Sequence, residues 1–534
     1  MSDTSAPAQA GASNKRLVLV AMIFAVAMMF IDQTIVALAI PDLQKDLSLS
    51  STGAQWIVNG YLLSLAALFA LGGKLSDVLG HRRMVVVGVT GFAVCSALCG
   101  ATPTGDIGET WMIVFRVLQG AFAALMFPAA LGIVVSAFPL AERGRALAAF
   151  FGITGALTAV GPLAGGYLTE WTWRAIFWIN IPVAIIALIL TAKAKPAETR
   201  VPGSIDYRAA VLISAGMGFV VLGLQQAGVW GWTDPKTLGS IVVGIVLLVL
   251  FVASELRQRE PLIRVRLFED RGFFVDNAVL LLMSAVFVPF FFFASVYAQA
   301  ALGYSATNAG LFLLVFFGGF ATASQWGGRI VDKRGARPAV ILGCAVAAVG
   351  FYLWGRQLPD LDFGSQWYWV VVAGAGLGLV LGPVSTDALN RAPGAGYGEV
   401  TGITQTVRNL GASLGLAVMG SLFASDNVDQ VGSTLRSSGV PAEQADSIAH
   451  SITAGGNTGS GGLAAQAGSG ADAIMHAVKV DIAQSTQTVV WIMAGIMAAA
   501  FIVSRFLPKS APEAADEPAE VSEAPQPVLH EGRV

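Results

Sequence analysis

The chain has 534 residues, of which 55% are hydrophobic and only 12% charged, and its mean hydropathy is +0.68. Soluble globular proteins carry about a quarter charged residues, so that class is excluded. The formal net charge of −2 says little about partners, because the charges are segregated along the chain, and no nucleic-acid partner is expected.

Apolar runs long enough to cross a bilayer as helices recur from Leu17 to Leu507. The first, Leu17 to Ile40, is too long for a cleavable signal peptide and reads as a span. Fourteen spans are predicted, at 17–40, 54–73, 84–102, 111–135, 145–168, 174–192, 209–229, 237–256, 273–301, 306–330, 338–356, 367–390, 399–424 and 486–507. All are expected to be helices, because a helix satisfies its own backbone groups in lipid. With the N-terminus inside, 24 of the 32 Lys and Arg fall in inner segments and six in outer ones, while Arg116 and Arg408 lie within spans. This asymmetry puts both termini on the cytoplasmic side of the cytoplasmic membrane, and an odd number of spans would destroy it.

The divisions follow from the spans. Residues 1–14 are a cytoplasmic tail, 15–193 a six-helix bundle, 194–272 two inserted helices with flanking loops, and 273–507 a second six-helix bundle. The second bundle contains an outer loop, 425–485, rich in Gly, Ala, Ser and Thr, in which Pro441–Ile452 and Ala471–Gln484 read as short surface helices. Residues 508–534 form an acidic, Pro-rich tail expected to be disordered. Cys95, Cys99 and Cys344 lie inside spans without the ligand set of a metal site and read as small buried residues.

In chain order, Asp32 is the first notable residue. A carboxylate within a span costs about 2.5–3.5 kcal/mol on insertion scales and marks function. It lies roughly 12 Å below the outer end of its helix, and Arg116, on the fourth span, lies about 7–8 Å deep by the same rise per residue. Both fall in the outer half, within reach of each other. Asp32 is read as an exchangeable proton carrier and Arg116 as the group that adjusts its proton affinity, since burial and a nearby cation act on a carboxyl in opposite senses. A static ion pair is the alternative.

The segment after span 2, Gly73-Lys-Leu-Ser-Asp77-Val-Leu-Gly80-His-Arg82, recurs after span 10 as Gly328-Arg-Ile-Val-Asp332-Lys-Arg-Gly335-Ala-Arg337, offset by 255 residues. Such a repeat points to two homologous halves. Its glycines permit tight turns. Asp77 and Asp332 can cap a neighbouring helix N-terminus or pair with Arg, holding the halves together on the inner side. Arg82 and Arg337 either join that network or serve as positive-inside anchors. Arg408 is a weaker candidate for pairing with one of these loop aspartates.

On span 5, Gly161 and Gly165 form G-x-x-x-G, a spacing that lets another helix approach closely in lipid. Gly155 extends the small surface inward, and Pro162 removes a backbone bond. Span 9 carries Pro289, four consecutive phenylalanines from Phe290 to Phe293, and Tyr297. Four in a row cover every helix face, so some meet lipid. Phe290, Phe293 and Tyr297, with Gln119, are the candidates for an apolar substrate cavity. Beyond Asp32 the membrane holds few carboxylates, chiefly Asp276 and Asp387, so a neutral, zwitterionic or monocationic amphiphile is expected rather than a dication.

These motifs together resemble those of the major facilitator superfamily, in its 14-spanner drug:proton antiporter group, over nearly all of residues 15–507. The segment after span 2 resembles the superfamily's loop signature, and Ile31 to Pro41 is similar to the group's first-helix motif. Arg116-Val-Leu-Gln119-Gly120 resembles its fourth-helix motif. Gly155, Gly161, Pro162, Gly165 and Gly166 resemble the fifth-helix antiporter motif, and Trp173 to Pro182 the start of the sixth helix. Val78, His81 and Ala336 depart where basic residues are common.

The resemblance implies an all-α polytopic membrane protein of the major facilitator fold, with two six-helix bundles plus two inserted helices. It implies that helices 1 and 4 line a central cavity, and that the fifth helix packs on span 10, which offers Gly318 and Gly319. The expected activity is not enzymatic. It is antiport of a small amphipathic drug or antibiotic against protons by a monomer. No ATP-binding G-x-x-x-x-G-K-[ST] sequence occurs, so proton motive force, without a cofactor, is the expected drive. Export of an endogenous lipid, siderophore or self-made metabolite is the alternative, with the loop at 425–485 assisting hand-off.

Overall fold

The structure is a computed structural model that describes residues 10–47, 49, 51–105, 107–198, 200, 205–258, 261–392, 396–438, 440–453 and 471–509. The described residues are helical, without strands. The first half comprises α1 (Ala10–Leu47), α2 (Ser51–Leu79), α3 (His81–Gly100), α4 (Gly108–Ala137), α5 (Leu140–Trp171), the single turn α6 (Ala175–Trp178) and α7 (Asn180–Ala194). Two helices follow, α8 (Tyr207–Trp230) and α9 (Pro235–Glu255). The second half comprises α10 (Arg271–Val296), α11 (Ala306–Arg334), α12 (Ala336–Gln357), α13 (Trp367–Asn390), α14 (Tyr397–Ser437), α15 (Ala442–Thr453) and α16 (Ala471–Ser504).

Among the described residues, thirteen spans are long and apolar enough to cross a membrane, with α6 and α7 forming one of them. The 32-residue α5 packs among them against α1 and α11. Local chemistry sets the helix starts. Asp234, Asp270 and Ser305 cap α9, α10 and α11 by accepting first-turn N–H groups. Asp206 caps α8 and also accepts from Gln258; the Gln258 amide, then the N–H of Ala209, hold its carboxyl below the usual carboxylate range.

The two halves repeat one packing pattern. In the first, α2 and α3 pack on α4, α1 on α5, and α3 on α7; in the second, α11 and α12 pack on α13, α10 on α14, and α12 on α16. The counterparts then cross: α2 packs on α14 and α5 on α11, making two seams between the halves. The hairpin α8–α9 lies against only one of them, touching α2 and α14. Trp232 donates to Ser421 Oγ at 2.6 Å there.

The segment 425–485 differs from the predicted outer loop. Its first part continues α14 unbroken to Ser437, and its last part continues the final span, so that α16 begins at Ala471. The surface helix expected at Ala471–Gln484 is therefore the start of a spanning helix, whereas the one expected at Pro441–Ile452 is the separate α15. The extension is rich in polar residues, and hydropathy alone reads such a helix as loop. Residues 454–470, the tail beyond 509 and residues 1–9 lie outside the described residues.

Candidate functional site

Asp32 on α1 is fully buried and meets Arg116 of α4, with Arg116 Nη1 2.5 Å from Asp32 Oδ2. A charge in this setting must be paired and hydrogen-bonded to be tolerated, and the surroundings supply both. Gln119, one turn along α4, donates to Asp32 Oδ1 at 3.0 Å and accepts from Arg116 Nη1 at 2.7 Å. Arg116 Nε donates to the Ile57 carbonyl of α2 at 3.0 Å, and the Tyr61 ring lies 4.3 Å from the guanidinium carbon. Asn180, the first residue of α7, donates to Asp32 Oδ1 at 3.4 Å and to Ser96 Oγ of α3 at 2.9 Å. One carboxylate thus gathers α1, α2, α3, α4 and α7. Sequence reasoning missed Tyr61, Ser96 and a role for Asn180; their polarity inside spans was the available signal.

The repeated segments occupy equivalent places, at the end of the bundle where the Lys- and Arg-rich segments lie, here termed the basic end. Gly80 and Gly335 are single-residue turns between consecutive helices, with φ of 104° and 76°, a region that glycine enters without strain. Asp77 of α2 accepts the backbone N–H of Gly398 at 2.9 Å and of Glu399 at 2.6 Å, in the first turn of α14. Asp332 of α11 accepts the N–H of Gly144 at 3.0 Å, near the start of α5 and just past its first turn, with Arg145 Nε at 3.3 Å. Each aspartate therefore binds backbone near the N-terminus of a helix of the opposite half, where the helix dipole favours negative charge. His81, in place of a common basic residue, puts Nε2 3.2 Å from Asp77 Oδ1. Glu399 accepts the Arg264 N–H at 2.6 Å, tying the segment after α9 to the same corner. Arg337 donates to the Arg505 carbonyl at 3.1 Å, and Arg82 is half-buried.

The glycines of these segments sit at close approaches. A Cβ on Gly73 would run into the Gly398 carbonyl, and one on Gly328 would lie 2.6 Å from the Gly144 carbonyl oxygen. Along the α5–α11 seam, Ser324 Oγ donates to the Ala148 carbonyl at 3.0 Å, and a Cβ on Gly155 would meet Phe320 at 2.9 Å. The expected pairing of Gly161 with Gly318 and Gly319 is corrected. Gly161 packs instead on α1, at Thr34 and 2.9 Å from the Ile31 carbonyl oxygen. Gly318 has an open face, and Gly319 meets Val371 of α13. A close-packing motif specifies a near neighbour without saying which one. Gly165 is buried, and Pro162 and Gly166 also lie on α5.

Two further expectations change. Arg408 pairs with no aspartate among the described residues; Nη1 donates to Gln405 Oε1 at 2.5 Å, and its guanidinium lies 6.0 Å from the Phe151 ring of α5. Phe290, Phe293 and Tyr297 lie in a packed interior, not on an open wall. Phe290 stacks on Phe316 at 4.2 Å, Phe293 contacts Phe423, and the Tyr297 hydroxyl donates to the Leu358 carbonyl at 3.0 Å. Asp276 and Asp387 share Arg391, whose Nε lies 3.6 Å and 2.7 Å from them at the basic end. Among the described residues, no cluster of His, Cys, Asp and Glu could hold a metal ion.

Comparison with known proteins agrees with this architecture. The sequence profile described as the Major Facilitator Superfamily matches residues 22–416. The chain is 36% identical over 412 residues to the tetracenomycin C resistance and export protein of Streptomyces glaucescens, covering 76% of each chain. It is 31% identical to the puromycin resistance protein pur8 of Streptomyces alboniger, over 76% of this chain and 81% of that one. In fold it is similar to the proton:xylose symporter XylE, with a TM-score of 0.58 at 14% identity, covering 93% of this chain and 97% of that one.

Proposed function

The chain belongs to the Major Facilitator Superfamily, a family of membrane transporters, and from that premise we propose that it is a proton-coupled antiporter. It exports amphipathic drugs or antibiotics across the cytoplasmic membrane by alternating access. It runs on proton motive force without a cofactor and works as a monomer, with both termini and the basic end in the cytoplasm. The names of its relatives support the substrate class: one is a tetracenomycin C resistance and export protein, another a puromycin resistance protein. The buried Asp32–Arg116 pair is the observation that carries the coupling.

Asp32 is the proton carrier in this reading. Its oxygens are filled by Arg116, Gln119 and Asn180, so an arriving proton displaces at least one donor. Arg116 then keeps the Ile57 carbonyl and Gln119, while Asn180 keeps Ser96. Because these partners sit on four other helices, protonation shifts the balance of contacts across the whole first half. At the basic end, the Asp77 and Asp332 caps hold both seams shut and break when that end opens. Arg408, a cation with no carboxylate partner among the described residues, disfavours a dicationic substrate at close range.

The test is Asp32→Asn, which keeps shape and removes the titratable group. Substrate-driven proton movement in inverted vesicles should vanish, and resistance in an efflux-deficient host with it, while membrane expression persists. Coupling unchanged in that variant rejects the proposal. The extension formed by α14, α15 and α16 favours a second reading, export of an endogenous lipid, siderophore or self-made metabolite with hand-off at that end. Replacing residues 440–470 with a short Gly-Ser linker separates the two: drug efflux survives it and delivery does not.

A further inference from the structure

We propose that the basic end of α11, α12 and α16 binds one anionic phospholipid, its phosphate among unpaired cations and an acyl chain in the apolar groove that continues from them. The head site is a pocket of about 550 Å³ lined by Arg334, Arg337, Pro338, Ile341, Arg505 and Lys509. Among the described residues none of its four cations pairs with a carboxylate. Arg337 gives one N–H to the Arg505 carbonyl, and Arg505 lies 5.8 Å from the Phe501 ring. The remaining donors have no protein acceptor among the described residues. Basic pockets between spanning helices on the cytoplasmic side suit phosphate head groups.

A second observation extends the site into the lipid. A groove of about 720 Å³ runs along the same helices, lined by Val315, Thr322, Trp326 and Ile330 of α11, Leu342 of α12 and Val371 of α13, among others. Nothing lies within 4 Å of a Cβ placed on Gly318, so the groove stays open beneath it. Ile330 and Arg334 are four residues apart on α11, as are Leu342 and Pro338 on α12, so groove and pocket follow each other on the same helix faces at about one turn's distance. A chain of methylenes below a cluster of cations matches a molecule with an anionic head and a fatty tail. Four cations without counter-ions among the described residues select a net negative head over a zwitterionic one.

The chain itself offers a competitor. Directly after Lys509 the sequence carries Glu513, Asp516, Glu517, Glu520 and Glu523. This segment matches the pocket in charge. Between Ser510 and Glu523, however, Val521 is its single aliphatic residue larger than alanine apart from proline, so its composition suits the pocket and not the groove.

The experiment uses the full chain purified in detergent and titrated with phosphatidylglycerol, with phosphatidylcholine of the same acyl chains, and with inorganic phosphate, read by native mass spectrometry. One phosphatidylglycerol should be retained, with phosphatidylcholine and phosphate retained far less. Arg334→Gln/Lys509→Gln, at two exposed positions, should weaken retention roughly thirtyfold. Gly318→Leu, which fills the groove without changing charge, should weaken it as well. Lys193→Gln/Lys195→Gln, elsewhere among the basic segments, should leave it unchanged. Equal retention of both lipids overturns the proposal, as do equal losses in the two double variants, or phosphate binding as tight as the lipid. It also fails if phosphatidylglycerol binds only after Glu513→Gln/Asp516→Asn/Glu517→Gln, since the acidic segment is then the occupant.

Discussion

Asp332 accepts the N–H of Gly144 at 3.0 Å, and Asp77 accepts the N–H of Gly398 at 2.9 Å; these two contacts are one device used twice, once on each seam. Each joins residues far apart in sequence, and each sits beside a glycine that lets the helix backbones nearly touch. A helix cap is worth about 1 kcal/mol, roughly a fivefold change in an equilibrium. Ser76 is fully buried at this corner, and the native cysteines Cys95, Cys99 and Cys344 are buried too. A cysteine introduced as Ser76→Cys should therefore react slowly with thiol reagents from the basic side. Adding Asp77→Ala should speed labelling about fivefold. An unchanged labelling rate would show that the cap does not hold this seam.

The Asp32–Arg116 pair makes a prediction about stability that is separate from transport. Removing one partner of a buried pair leaves an uncompensated charge and costs about 3–5 kcal/mol, whereas neutralising both is far milder. Arg116→Gln alone should therefore lower the melting temperature in detergent more than Asp32→Asn/Arg116→Gln does. A double variant less stable than the single one would contradict the pairing.

Two glycines on α5 should fail in different ways. Gly155 faces Phe320 across the seam between halves, while Gly161 faces Thr34 and Ile31 within its own half. Gly155→Leu is expected to abolish transport with normal expression, because it jams a surface that must move. Gly161→Leu is expected to lower the yield of folded protein, because it drives α1 away from α5. Size-exclusion profiles and efflux assays, measured side by side, check both.

Arg408 should act on substrate choice. Its guanidinium spans from α14 toward Phe151 of α5, close to where the halves face each other. Arg408→Gln should admit dicationic compounds that the parent rejects, while Arg408→Lys keeps the parent's preference. A resistance panel of monocations and dications reads the difference; an unaltered panel in the Gln variant removes Arg408 from selectivity.

Much of this arrangement was legible in the residues. Depth along the helix axis put Asp32 and Arg116 in the same half of the membrane, and their side chains do meet. The 255-residue offset identified two corresponding turns, and Gly80 and Gly335 share the backbone geometry of one. What sequence left open was which neighbour each motif touches. The spacing of Gly161 and Gly165 promised a close helix, but α1 and α11 are both available to α5. The phenylalanines of α10 gave no face, because a run of four points everywhere; packing sends Phe290 and Phe293 inward and leaves Phe292 half exposed. The polar end of α14 looked like loop because hydropathy detects lipid contact, not helix.

The hairpin α8–α9 gives the molecule a back and a front. It lies along the α2–α14 seam, where Lys74 donates to the Pro261 carbonyl at 3.3 Å and Arg264 engages Glu399, and among the described residues no equivalent helices flank α5 and α11. Like a book bound along one edge, the halves are covered on that side and bare on the other. On the proposed export reading, a hydrophobic molecule dissolved in the bilayer would reach the two halves at the uncovered seam, between α5 and α11.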